Sequence, residues 1–432
     1  MAKRHDRLFG DIANFQALKA AARRAIRGKR RKPGAVAFYA NLETEVLRLE
    51  RELRTRTYRP GRYVEIQIHD PKKRIVSAAP FRDRVVHHAL CAVIEPIFEA
   101  GFIGNSFANR RDKGTHKAIE AYECYRDRYS HVMHCDIYRY FPAIDHAILK
   151  AEYRRRIACE PTLWLMDLIV DGSNRQEPVN LYFPGDDLFG PHERRRGLPL
   201  GNLTSQFFAN LYLDRFDHFV TEVLHAPYVR YVDDFALFHN DPAVLAEWRE
   251  RMCAYLAGRR LKLHPKKTFI QSTDHAADFL GLTLEPGGFR RLPETGVRRF
   301  RNRMRSMQYG WRHGDAAAKQ KIGSRVHSWV AHAAHANSWR LRQSIFKRSW
   351  FDPAIPLKPE RLPAGGSCAA VPGTTIPRTS APRTATGTLL TTVTTISVFA
   401  LPVHFPPEPG DHGPAGSAFK CPGPFMMRSP GA

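Results

Sequence analysis

Apolar residues along this chain change their period several times, and each change predicts an element. From Tyr228 to Phe238, in Tyr-Val-Arg-Tyr-Val-Asp-Asp-Phe-Ala-Leu-Phe, aromatic and β-branched residues alternate with strand periodicity on both sides of an acidic pair. That pattern predicts a buried β-hairpin with Asp233 and Asp234 at its tip. A second apolar run, His131-Val-Met-His-Cys-Asp136, predicts a strand that also ends in an acid, and Phe141-Pro-Ala-Ile-Asp-His146 predicts a turn into a helix. Gly197-Leu-Pro-Leu-Gly-Asn-Leu-Thr-Ser-Gln206 is a Gly/Pro-punctuated loop running into an apolar helix from Phe207 to Phe219.

Two adjacent carboxylates on a strand turn repel each other unless a cation neutralises them. Mg²⁺ takes hard oxygen ligands and bridges substrate phosphates, so this pair, with Asp136 as third ligand, fits phosphoryl transfer to a nucleotide. The small residues of the 197–206 loop let a backbone approach a base pair closely. Asp186-Asp187 is an equally adjacent pair, but Pro184, Gly185, Gly190 and Pro191 around it predict a solvated loop.

Charge points the same way. The chain carries a net +25 over 432 residues, which predicts a strong, salt-sensitive affinity for phosphate backbones. Residues 286–350 hold fifteen Lys or Arg against the two acids Glu294 and Asp315, in segments such as Val297-Arg-Arg-Phe-Arg-Asn-Arg-Met-Arg-Ser306 that fit basic helices. A second basic block, Lys19 to Lys32, fits RNA capture. The seven cysteines form no Cys-x-x-Cys pair, so neither a zinc site nor a disulfide framework is expected, and the chain reads as cytoplasmic. No apolar signal core or membrane-length run is present. The histidines, His87-His88 and His332/His335 among them, read as surface or packing residues.

In order along the chain these segments resemble the motifs of the reverse transcriptase family, from about Tyr58 to about Trp350. Lys72-Lys-Arg-Ile-Val with Pro80-Phe-Arg-Asp-Arg is similar to the first finger motif, and Ser106-Phe-Ala-Asn-Arg-Arg-Asp-Lys-Gly114 to the second. Asp136 to Phe141 resembles the third, Gly197 to Gln206 the fourth, and Tyr231-Val-Asp-Asp234 the fifth. Leu263-His-Pro-Lys-Lys-Thr268 resembles the sixth and Phe279-Leu-Gly-Leu282 the primer grip. The resemblance implies an α+β right-hand polymerase. Its basic helical extension would span 1–60, its fingers 61–130 and 147–195, its palm 131–146 and 196–285, and its helical thumb 286–350.

By that resemblance two Mg²⁺ ions, or Mn²⁺, would be held by Asp136, Asp233, Asp234 and the carbonyl of Ile137. Arg74 and Arg110 would clamp the dNTP, with Asn109 and Arg111 as alternatives to Arg110, and Lys267 would assist near the leaving group. Gly201, Ser205 and Gln206 would border the nucleotide, and the Phe141 ring would exclude a ribose 2′-hydroxyl. Phe279, Leu280 and Gly281 would grip the primer. Arg298, Arg299, Arg301, Arg303 and Arg305 would hold the RNA/DNA template–primer duplex.

One departure narrows the resemblance. Where most of the family has Gln-Gly and Ser-Pro, this chain has Leu200-Gly201 and Ser205-Gln206, which resembles the polymerases of diversity-generating retroelements. Those enzymes copy a template RNA with errors at adenines and act with a small basic accessory protein. A retron, group II-like or antiphage-defence reverse transcriptase is the alternative, and a non-catalytic RNA-binding relic a third reading. The region 351–432 is expected to be disordered: its last 72 residues hold twelve Pro and nine Gly. Ten of the twenty-two residues from Thr374 to Thr395 are Thr. Their ACN codons, read one nucleotide earlier, become Asn codons wherever the preceding base is A. An Asn-rich reading of this kind resembles the variable region of retroelement target proteins, so the tail is expected to be out-of-frame template-repeat coding.

Overall fold

The computed structural model describes residues 3–68, 74–174 and 181–347. Lys72 and Lys73 of the first finger motif and the tail from 351 onward lie outside the described residues. Four helices come first: α1 (Phe9–Ile12), α2 (Phe15–Ala25), α3 (Pro33–Ala40) and α4 (Leu42–Arg54). Asn14 caps α2 by accepting from Ala17 N–H at 2.8 Å, and Leu18, Ala21, Ala22 and Ala25 recur at helical spacing on its buried face.

The small alanines let α2 lie against α5 (Phe81–Glu99), and α2 and α4 share one apolar core with the fingers and palm. The segment expected as an extension is therefore helical but built into the body of the protein. Between α4 and α5, β1 (Val64–Ile68) and β2 (Arg74–Ala78) form a two-stranded antiparallel ribbon.

After α6 (Thr115–Arg126), the palm sheet is antiparallel in the order β4-β5-β3-β6, from β3 (His131–Asp136), β4 (Tyr228–Tyr231), β5 (Asp234–His239) and β6 (Phe269–Ser272). Between β3 and β4 run α7 (Tyr140–Ala143), α8 (His146–Arg154), α9 (Glu160–Asp171), α10 (Gly190–Glu193) and α11 (Leu203–His218). Helix α11 begins four residues before the apolar run that announced it, so Ser205 and Gln206 sit in its first turns. Its Phe216 packs edge-on against Phe235 of β5 at 5.5 Å, and α12 (Pro242–Gly258) packs against β3 and β5 as well.

Asp186 and Asp187 lie on a largely exposed loop, as their Gly/Pro surroundings predicted, and both carboxylates have local partners. Asp186 forms an ion pair with Arg194 and accepts from Phe183 N–H at 2.8 Å, while Asp187 accepts from Phe189 N–H at 3.0 Å. The solvated loop is thus also pinned by both carboxylates.

A three-stranded sheet follows, β7 (Ala277–Phe279), β8 (Leu282–Glu285) and β9 (Phe289–Arg291), so residues 286–291 finish a sheet and do not open an all-helical thumb. The thumb helices are α13 (Glu294–His313), α14 (Ala316–Ala334) and α15 (Trp339–Phe346). They enclose a separate core in which Phe300 stacks on Trp329 at 3.8 Å. Among the described residues no helix is long and apolar enough to cross a membrane.

Candidate active site

The central strands bring the three carboxylates together. Asp136 ends β3 and lies opposite Asp234, the first residue of β5. Strand β4 ends at Tyr231, which also pairs with Asp234, so Val232 and Asp233 make a two-residue turn. Tight hairpin turns use positive φ. Val232 supplies it at +59°, a conformation a β-branched residue takes only under constraint. The turn is laced to β3 by Ile137 N–H, which donates to the Asp233 carbonyl at 3.2 Å.

Asp136 is buried, Asp233 half-buried and Asp234 exposed to solvent. Protein still surrounds Asp233 and Asp234 closely enough for desolvation to be the largest cause raising both above the usual carboxylate range. The charge of Asp136 adds to the rise at Asp233, and those of Asp233 and Asp136 add to it at Asp234. Such crowding draws cations. Lys267 Nζ forms an ion pair with Asp136, and the field of Arg74 reaches Asp233.

This all-oxygen donor set suits Mg²⁺ or Mn²⁺. Among the described residues no three His, Cys, Asp or Glu side chains already converge on one point, and Lys267 shares the Asp136 carboxylate that an ion would use. Lys267 owes its place to a loop stitched along β3: Tyr138 N–H donates to Lys262 O at 2.8 Å and His264 N–H to Asp136 O at 2.7 Å.

Of the other expected site residues, Arg74 is exposed on β2, and Phe141 is half-buried, edge-on to Tyr140 at 5.7 Å. Arg110 is a correction. Its side chain is 6% exposed, bound to Glu99 at 2.7 Å and to the carbonyls of Ile103 and Ser106 at 2.5 and 2.8 Å. In this structure its guanidinium braces the finger loop instead of facing the acidic turn's neighbourhood as a free cation. Ser205 is also corrected, because its side chain is buried within α11, whereas Gln206 stays half-exposed.

Gly201 has φ +101°, and a Cβ there would stand 2.7 Å from Val76 Cγ1. What this glycine demonstrably permits is the close seating of β2 on the loop, with Ser77 N–H donating to Leu200 O at 3.0 Å. Phe279 is buried on Tyr122 with ring centroids 4.8 Å apart; Leu280 and Gly281, at φ +49° and +82°, turn β7 into β8. Arg298, Arg299, Arg301, Arg303 and Arg305 all lie on the exposed face of α13, opposite its buried Val297, Phe300, Met304 and Met307.

The sequence reading missed three groups. Asn202 joins fingers to palm, accepting from Ala79 N–H at 3.2 Å and donating to Ser77 O at 2.9 Å. Arg290 ties β9 to Glu123 of α6 at 2.6 Å while its backbone exchanges two hydrogen bonds with Asn337 of the thumb, both 2.8 Å. Arg230 and Asp217 form a fully buried ion pair beneath the acidic turn. A signal for that pair was present: an Arg in the middle of an apolar strand and an Asp in an apolar helix.

An antiparallel palm with two acids on a hairpin turn and a third on the adjoining strand, followed by a basic helical bundle, defines a nucleotide-polymerising hand. The reverse transcriptase (RNA-dependent DNA polymerase) family matches residues 66–284, just over half of the chain, and the chain belongs to that family. It is also similar to Protein YkfC of Escherichia coli (strain K12), 26% identical over 283 residues that cover 56% of this chain and 71% of that protein. The activity is RNA-directed DNA synthesis, with a template RNA and dNTPs as substrates.

Proposed function

We propose that this reverse transcriptase copies a template-repeat RNA into adenine-mutagenised cDNA that diversifies a target gene. The observation that carries this reading is the pair of departures at Leu200 and Gln206. Leu200 lends its carbonyl to β2, the strand that bears Arg74, and Gln206 stands in an early turn of α11. A shorter or altered contact at this loop loosens the fit around the nascent pair. The protein would work in the cytoplasm with a small basic accessory protein, and its out-of-frame tail would overlap the template repeat.

In the reaction the primer 3′-hydroxyl attacks the α-phosphate of a dNTP and pyrophosphate leaves. Asp136, Asp233, Asp234 and the Ile137 carbonyl would hold two Mg²⁺ ions, which when bound supply charge neutralisation for nucleophile and leaving group. Arg74 binds the triphosphate from the finger ribbon. Lys267 holds positive charge beside Asp136, on the leaving-group side. Phe141 excludes the 2′-hydroxyl, so deoxyribonucleotides are chosen.

Primer extension on an RNA template, with misincorporation counted opposite each base, tests the proposal. Leu200→Gln/Gln206→Pro is expected to lower errors opposite adenine without lowering them elsewhere. Equal adenine error in both enzymes refutes the mutagenic reading and leaves a retron, group II-like or antiphage reverse transcriptase. The nucleotide sequence is a second check: codons for Gly373, Thr374, Thr391 and Thr394 should mostly end in A, and a near-copy differing at adenines should lie nearby.

A further inference from the structure

Arg230 sits on β4 directly under the turn that carries Asp233. Its Nε and Nη2 donate to Asp217 of α11 at 2.7 and 2.5 Å, and its Nη1 donates to the Val232 carbonyl at 3.0 Å and to Asn210 Oδ1 at 3.3 Å. Both members of the ion pair have side chains 1% exposed. Around them, the Tyr228 hydroxyl donates to Asp217 at 2.9 Å, and Asn210 Nδ2 donates to the Ala108 carbonyl at 2.7 Å. The finger loop grips the same residue by its backbone, Arg230 N–H to Asn105 O at 3.0 Å and Phe107 N–H to Arg230 O at 2.9 Å.

A buried ion pair is a poor source of stability, since desolvation offsets most of its attraction and an apolar pair of similar volume packs as well. What an apolar pair cannot do is donate to the Val232 carbonyl. That carbonyl belongs to the peptide joining Val232, held at φ +59°, to Asp233. We infer that Arg230, fixed in plane by Asp217, is a positioning residue that holds the Val232 peptide in its constrained conformation and so aims Asp233 and Asp234 into the cleft. A planar guanidinium suits the task because its fork serves Asp217 with one edge and Val232 O with another; a lysine ammonium presents a single point of charge.

The test is Arg230→Lys, read by three measurements: single-turnover nucleotide incorporation, Mn²⁺ affinity by electron paramagnetic resonance with template–primer and a non-hydrolysable dNTP, and template–primer affinity. The incorporation rate is expected to fall on the order of 10²-fold, the scale of an ångström-sized misplacement. Mn²⁺ binding should weaken by about tenfold, as for lost outer-shell support. Template–primer affinity should not change. Adding Val232→Gly should restore at least about tenfold of the rate, because glycine takes this φ without support.

Wild-type rate and Mn²⁺ affinity in folded Arg230→Lys would overturn the inference. So would a smaller fraction of active enzyme working at the normal rate, which is the mark of a purely structural role. If Arg230→Lys does not fold, Arg230→Met/Asp217→Leu carries the same expectations. Failure of both to fold makes the pair a stability element and overturns the assignment.

Discussion

Palm and thumb bury different things. Beneath the palm's acidic turn, Arg230, Asp217, Tyr228 and Asn210 form a closed polar network that leaves few alternative arrangements. The thumb's core is Phe300, Met304, Met307, Ile322, Val326, Val330 and Phe346, with Trp311 and Trp329 at its edge. Methionine and stacked aromatics fill irregular space adaptably, whereas a satisfied polar network specifies one geometry. The contrast fits the roles proposed for the two regions: a palm that holds carboxylates to fractions of an ångström, and a thumb that would grip a duplex of any sequence by its backbone. Arg290, on β9 between them, ties the thumb's Asn337 by its backbone to Glu123 of α6 by its side chain.

The sharpest break between the two regions is expected at the acids. Asp136→Asn, or Asp233→Asn/Asp234→Asn, should cut primer extension by roughly 10³-fold or more while template–primer affinity stays within about twofold. Extension at the wild-type rate by the double variant would remove the palm from the chemistry.

Next in size is the thumb's own core. Phe300→Ala should cost about 3–5 kcal/mol locally. Because Phe300 belongs to a core separate from the palm's, hydrogen exchange should rise across 294–347 while β3 and β5 stay protected. Uniform loss of protection would show that the two cores fold as one.

The reciprocal of the acid test lies on the basic face. Arg298→Ala/Arg301→Ala/Arg305→Ala should lower the salt slope of template–primer binding by about 2 to 3, one unit or slightly less per phosphate contact. The incorporation rate at saturation should hold. A lost rate with an unchanged slope would assign these residues to the site instead.

The smallest expected effect is on acid stability and belongs to fingers and palm. Burial pulls His87 down to about 3 and His134 to about 4 from an ordinary 6.5. The unfolded chain therefore binds these protons more readily than the folded one. The contribution of each histidine to stability is fully present above pH 6.5 and falls by about 1.4 kcal/mol per pH unit as pH drops toward its folded value, while the raised carboxyl groups Asp233 and Asp234 act in the opposite sense. His134→Gln should flatten that decline in chemical denaturation, and an unchanged slope would locate the acid sensitivity elsewhere.

Much of the site was legible in the sequence because it is local. The Asp233-Asp234 turn, the strand ending at Asp136 and the apolar helix of the fourth motif are short runs whose period and punctuation announce them. Lys267 was legible only as part of a motif; its contact with Asp136 spans 131 residues. Arg110 misled for the same reason in reverse. Its motif position suggested a substrate ligand, yet Glu99 at the end of α5 lies within reach of its guanidinium. Asn202 and Arg230 were unremarked because hydrogen bonds to Ser77 and Asp217 exist only after fingers, palm and α11 have met.

By itself, then, the order of apolar, acidic and basic runs determined the strand ending at Asp136, the hairpin with Asp233 and Asp234 at its turn and the basic helices near the end of the described chain, since hydrophobic period and charge are properties of neighbouring residues. Tertiary structure alone decided which cations face the cleft and which are tied down inside. It also joined the N-terminal helices to the main core and closed a buried arginine under a constrained valine. Those outcomes depend on the distance between groups far apart in the chain, and desolvation and hydrogen bonding act on that distance, not on sequence separation.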